Sequence, residues 1–214
     1  MKKSTVLNWI LIIGMLIGDI FLAINDLSID KTDRIPTYLI LIPILLAPWL
    51  VKKILHYEVS EELKLVYFIF IFLAQFLGSG VNLYNKTIWF DKFTHFLSGI
   101  LSGFIALLLL VEFKKNPYKH LIFHTIFILG IVFLIAGGWE LIEFSIDKIT
   151  GSDVQHVIET GVDDTMLDMF SAFVGSLLLI CSYLYEMITN KSGIVKQFIQ
   201  SLDKNNNHSK KRAL

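Results

Sequence analysis

The second half of the chain repeats one arrangement three times: two ionisable side chains about one helical turn apart. Asp91 and His95 are four positions apart, Glu140 and Glu143 three, and Asp164 and Asp168 four, so each pair shares one face of a helix. An imidazole nitrogen with several carboxylate oxygens is a donor set for a divalent cation. His95 with Glu140, Asp164 and Asp168 as metal ligands suits Zn²⁺ or Mn²⁺, and an all-oxygen subset suits Mg²⁺ or Ca²⁺. A metal there lowers the pKa of its bound water, and Glu143 is the candidate base, with Lys92 as the second catalytic candidate. Asp91, Asp163, Asp153 and His156 fall at the rim of such a site. The chain lacks His-Glu-x-x-His and Gly-x-Ser-x-Gly, so no diagnostic hydrolase motif names the reaction. Its single cysteine, Cys181, builds neither an intrachain disulfide framework nor a Cys-based zinc site.

Structural explanations compete for the same residues. Asp91, Asp163 and Asp164 stand where helices start, and a carboxylate there is favoured by unpaired N–H groups and the helix dipole. His95 and Asp168 lie a turn further in, where capping no longer accounts for them. Glu140 and Glu143 fall near the expected end of their helix, where the dipole disfavours negative charge by about 0.3–1 kcal/mol. Lys92, Lys148, His95, a cation or a proton must then compensate them.

The elements that position these groups are membrane spans. Of 214 residues 54% are hydrophobic and only 18% charged, with a mean hydropathy of +0.63; soluble domains carry roughly a quarter charged residues. A bilayer core needs about 20 mostly apolar residues per helix. Runs of that kind lie near 6–24, 37–55, 64–84, 94–113, 121–142 and 166–189. The expected fold is all-α: a polytopic integral membrane protein with six transmembrane helices in one bundle. Residues 1–189 form the membrane domain, with its motif-bearing part at 88–180, and 190–214 a polar cytoplasmic tail. Pro43 and Pro48 predict a kink in the second span. The first apolar run continues past Asp19 to Ile24, longer than a signal-peptide core, so it reads as a retained helix.

Basic residues set the orientation. Lys31, Arg34, Lys86, Lys92 and Lys148 fall on one side of the membrane, and the other fourteen Lys and Arg fall on the side of the termini. Both termini are therefore expected in the cytoplasm and all three acidic sets on the outer face, joined there by Asp147 and Glu159. Small residues continue the same faces: Ser98, Gly99, Ser102 and Gly103 after His95, Ala136 and Gly137 before Glu140, and Ser171, Ala172 and Gly175 after Asp168. Such stripes let membrane helices approach closely, so the polar sets should converge. Asp19 and Gln75 are candidates to line the same cavity, or else to hydrogen-bond between helices. His124 reads as a packing or interfacial residue, and His56, His120 and His208 as surface residues. Trp9, Trp49, Trp89, Tyr118 and Trp139 form an interfacial belt. Equal numbers of basic and acidic residues, 19 each, leave no electrostatic footprint for nucleic acid.

Phe90-Asp91-Lys92-Phe93-Thr94-His95-Phe96, then Trp139-Glu140-Leu141-Ile142-Glu143-Phe144, then Asp164-Thr165-Met166-Leu167-Asp168-Met169-Phe170 followed by Gly175, resemble the YjdF-like family of predicted bacterial inner-membrane proteins. The resemblance covers roughly residues 88–180. It implies a multi-pass protein of the bacterial cytoplasmic membrane and no particular reaction. A looser likeness links the same order of motifs to VanZ-like membrane proteins, but the Arg of that pattern between Glu and Asp is absent here. The first three helices carry no recognised motif.

Three functions follow from these residues. One is a metal-dependent hydrolase or transferase acting on lipid or a lipid-linked substrate, with membrane lipid as its partner. The second is a cation- or proton-binding transporter, for which the apolar cytoplasmic halves of the last three helices offer no continuous polar path. The third is a structural protein whose polar cluster ties helix ends together.

Overall fold

The computed structural model describes residues 3–55, 59–113 and 120–202, apart from the side chains of Asp33, Leu55 and Ile88. Lys2, His56, Lys114, Lys115, Tyr118, Lys119 and the end of the chain from Asp203, including His208, lie outside the described residues. All regular structure among the described residues is helical. Six helical stretches there are long and apolar enough to cross a membrane: Lys3–Ser28, Ile35–Ile54, Glu61–Gly80, Trp89–Glu112, Leu121–Thr150 and Asp163–Thr189. The chain divides into two compact units, residues 1–94 and 95–214.

The first unit contains α1 (Lys3–Ser28), α2 (Ile35–Leu39), α3 (Leu41–Leu55), α4 (Glu61–Ile71), a π-helical continuation of α4 (Phe72–Gly80) and α5 (Leu83–Lys86). Its core is Ile12 and Met15 of α1 packed with Leu41, Leu45, Phe68 and Ile71. The expected kink in the second span is a break at Ile40, between α2 and α3. Pro43 explains the position, because its ring has no N–H for the Leu39 carbonyl and clashes with it. Pro48 stays inside α3. It frees the Ile44 carbonyl, which instead accepts a 2.7 Å hydrogen bond from the Tyr67 hydroxyl of α4; a neighbouring helix thus satisfies the group that proline releases. Ser60 caps α4 by accepting from the Leu63 N–H at 3.2 Å.

The unit boundary falls inside α6 (Ile88–Glu112), a single uninterrupted helix. The second unit continues with α7 (Leu121–Thr150), α8 (Val157–Thr160), α9 (Asp163–Thr189) and α10 (residues 194–202). On α7 every fourth residue from His124 through Ile128, Val132 and Ala136 to Glu140 is buried, and this stripe packs along α9. His124 is indeed a packing residue, with Nδ1 2.7 Å from the Tyr183 hydroxyl of α9.

Two expectations change. α7 runs to Thr150 and stops at Gly151, whose φ of 72° allows the left-handed cap. Glu140 and Glu143 therefore lie well inside the helix, and the dipole penalty expected for them falls away. Residues 190–202 are not a solvated tail, since Val195, Ile199 and Leu202 of α10 are buried and Phe198 packs edge-on against Phe104. The carboxylate of Glu186, itself buried, accepts from the N–H groups of Gly193, Val195 and Lys196 at 3.1, 3.3 and 2.8 Å. It closes the open amides at the start of α10.

Candidate functional site

Two glycines determine where the site forms. A Cβ on Gly99 of α6 would strike the Ala172 carbonyl oxygen of α9, and one on Gly175 would strike the Phe96 carbonyl oxygen of α6. The helices can meet this closely only because both positions lack side chains. One turn before Gly99 stands His95, and one turn before Ala172 stands Asp168. The backbone contact therefore brings these two side chains face to face, with His95 Nε2 3.9 Å from Asp168 Oδ1. His95 is 8% exposed and Asp168 2%.

The first turns of α6 add Asp91. One ligand atom from each of Asp91, His95 and Asp168 lies within 4.8 Å of the other two, close enough to hold one metal ion. Lys92 Nζ pairs with Asp91 Oδ2 at 3.1 Å. Thr94 and Ser98 donate their hydroxyls to the Asp91 and His95 carbonyls of their own helix, both at 2.8 Å, and Thr94 Oγ1 also lies 3.3 Å from the Tyr84 hydroxyl.

The remaining expected residues fall as follows. Glu140 is buried on the α7 stripe that faces α9. Among the described residues, neither Glu140 nor Asp164 joins the three-residue group, whereas Asp91, expected at the rim, belongs to it. Glu143 is half-buried and accepts from Trp139 Nε1 at 2.7 Å, which fixes its orientation on α7. Asp163 is exposed and Asp164 half-buried in the first turn of α9, where the dipole favours both. Asp153 accepts from the Ile158 N–H at the start of α8, and His156 takes a left-handed conformation, φ 53°, in the same loop; both shape the connection between α7 and α9.

Two residues there carry more structure than their sequence suggested. Asp147 accepts from Ser152 Oγ and from the Val154 and Gln155 amides at 2.8, 2.6 and 3.0 Å, so it organises the loop. Gln155 is buried, and its Nε2 donates to the Glu140 carbonyl at 3.1 Å and to Thr165 Oγ1 at 3.3 Å. It thereby ties α7 to α9 beside the acidic residues. Nothing in the sequence distinguishes Gln155 from any other loop glutamine. Asp147 could have been found as the carboxylate just before a Gly that ends a helix.

An imidazole and two carboxylates gathered at one place could offer a metal ion three donors and leave coordination positions for water. The fold and this cluster define a polytopic α-helical membrane protein with a buried Asp/His group. Over residues 7–188 the chain matches the family described as "Predicted membrane protein (DUF2238)", and it belongs to that family. The match takes in the first three spans, where no motif had been recognised. The chain is also 28% identical over 130 residues to an uncharacterised protein of Thermotoga maritima, a match covering 60% of this chain and 65% of that relative. No solved structure matches.

Proposed function

We propose that the chain is a metal-dependent hydrolase or transferase of the bacterial cytoplasmic membrane, with both termini in the cytoplasm, acting on lipid or a lipid-linked substrate from the outer leaflet. The observation that carries this reading is the gathering of the Asp91, His95 and Asp168 donor atoms within 4.8 Å. Carboxylates brought together repel one another and burial raises the cost; Lys92 offsets part of that charge at Asp91, and a metal ion held beside His95 would offset more. A mixed nitrogen and oxygen set suits Zn²⁺ or Mn²⁺, and such an ion would supply Lewis acidity. His95 would offer a ring nitrogen, Asp91 and Asp168 one oxygen each, and Glu143, steadied by Trp139, a base. A site at the edge of the hydrocarbon meets molecules with one apolar and one polar end. The YjdF-like order of motifs supports the bacterial membrane placement.

The test is metal analysis and calorimetry with Zn²⁺ and Mn²⁺ on the purified protein, alongside lipid profiling of cells. Wild type should bind one equivalent, His95→Ala and Asp168→Asn should lose it, and Glu143→Ala should keep the metal yet alter the lipid profile as they do. Absence of binding in wild type, with unchanged lipids in all variants, would leave the reading without support.

A second reading rests on the Gly99 and Gly175 contact: His95 and Asp168 would then be a pair that locks α6 to α9 and does no chemistry. It predicts that His95→Ala lowers thermal stability and changes neither metal content nor lipids.

A further inference from the structure

The first unit holds a buried carboxylate that the site above does not use. Asp19 of α1 is 7% exposed, and among the described residues no hydrogen bond or ion pair reaches it. Arg34 is committed elsewhere. It pairs with Asp26 at 3.0 Å and donates to the Ser79 and Gly80 carbonyls at 3.0 and 2.6 Å. Tyr38 adds a 2.6 Å hydrogen bond to the same Asp26 oxygen. Asp26 is thus neutralised and Asp19 is not.

Opposite Asp19 the backbone is irregular. From Phe72 to Gly80 the third span is π-helical, a geometry rare in helices and concentrated at functional sites. Gln75 in this segment is 9% exposed, and its Nε2 donates to the Thr37 carbonyl at 3.0 Å, which leaves its Oε1 end as an acceptor. At Gly80 the missing side chain leaves a small gap. The point a Cβ would occupy lies 3.5 Å from the Gln75 main-chain oxygen, 3.6 Å from Asp19 Oδ1 and 3.8 Å from the Leu22 Cδ1 methyl. A carboxylate and a main-chain carbonyl of the π segment therefore face one space.

A largely buried charge with no counter-charge is costly, and ionisable groups inside membrane helices mark ion or proton sites. Carbonyls of irregular membrane helices, joined by one carboxylate, are the donors that membrane proteins offer to Na⁺. The donors here are all oxygen, which suits a hard cation, and one negative charge balances a monovalent ion. We propose that Asp19, the Gln75 carbonyl and the gap at Gly80 form a Na⁺ site in the first unit, independent of the Asp91, His95 and Asp168 group.

The test uses the full-length protein purified in detergent. Thermal unfolding is followed in NaCl against choline chloride at equal ionic strength and across pH, with ²²Na⁺ binding measured in parallel. Wild type should gain stability saturably with Na⁺ and bind one equivalent. Asp19→Asn should weaken binding by roughly tenfold to hundredfold, the loss of a charge-assisted contact. Gly80→Ala fills the gap with a methyl in ordinary contact distance, so it should fold as wild type does and still lose Na⁺ binding. A wild type indifferent to Na⁺ overturns the site, including the case where stability follows pH alone and Asp19 simply carries a proton. Undiminished Na⁺ binding in either variant also overturns it.

Discussion

Gly99→Ala should destabilise the protein, although alanine is the better helix former. The propensity gain is about 1 kcal/mol. Against it stands the Ala172 carbonyl, a backbone atom of a packed helix that no rotamer change can move aside. α6 and α9 must separate, and overpacking of that kind costs about 1–3 kcal/mol, so the net loss reaches about 2 kcal/mol. For a chain of this length that lowers Tm by up to about 8 °C. Gly175→Ala meets the Phe96 carbonyl and, at 3.4 Å, the Ile100 nitrogen, and should behave alike. The double variant should lose less than the sum, since one separation relieves both clashes. Gly130 has nothing within 4 Å, so Gly130→Ala is the control and should be neutral or stabilising. Circular dichroism melts of these variants and wild type in one mild detergent supply the comparison. If Gly99→Ala melts at or above wild type, the helices are not in backbone contact and the placement of His95 against Asp168 loses its cause.

Tyr67→Phe removes the donor to the Ile44 carbonyl freed by Pro48 and should cost about 1 kcal/mol; restoring the helix bond with Pro48→Ala in the same chain should recover most of the loss in thermal melts. Glu186→Gln should loosen α10 by about 1 kcal/mol, seen as faster amide exchange at Val195 and Lys196 with no change in the middle of α9. Gly151→Ala, in open space but at a φ of 72°, should cost about 1–2 kcal/mol through backbone strain alone, read as fraying of the last turn of α7 by amide exchange.

The spans were legible because lipid leaves few alternatives to twenty apolar residues in a row. The pairing of α6 with α9 was legible too, since Gly99 and Gly175 extend the faces of His95 and Asp168 at intervals of about one turn. The end of α7 was misplaced because Phe144 to Thr150 mixes apolar and charged residues, which resembles a loop until Gly151 is recognised as the stop. α10 was hidden in a tail judged by its polar end, although Val195, Ile199 and Leu202 already had helical spacing. Nothing in Phe72 to Gly80 announces a π-helix, because its extra residue per turn answers to neighbours such as Arg34 that hold its last carbonyls. That Asp91 groups with His95 and Asp168, while Glu140 and Asp164 do not, depends on side-chain reach, which spacing along a helix does not report.

The length of α7 sets a thickness requirement. Thirty residues at 1.5 Å each give a rod of about 45 Å, against a hydrocarbon core of about 30 Å. An upright α7 would carry its last ten residues beyond the oily layer, and tilting would draw them back toward it. Glu143, Asp147 and Lys148 all belong to that overhang. Acyl-chain length then becomes a control variable: a thicker bilayer would submerge these groups, and a thinner one would lift them into water. Reconstitution in lipids of graded chain length should therefore alter how readily soluble reagents reach the α7–α9 connection, before any ligand or substrate is added.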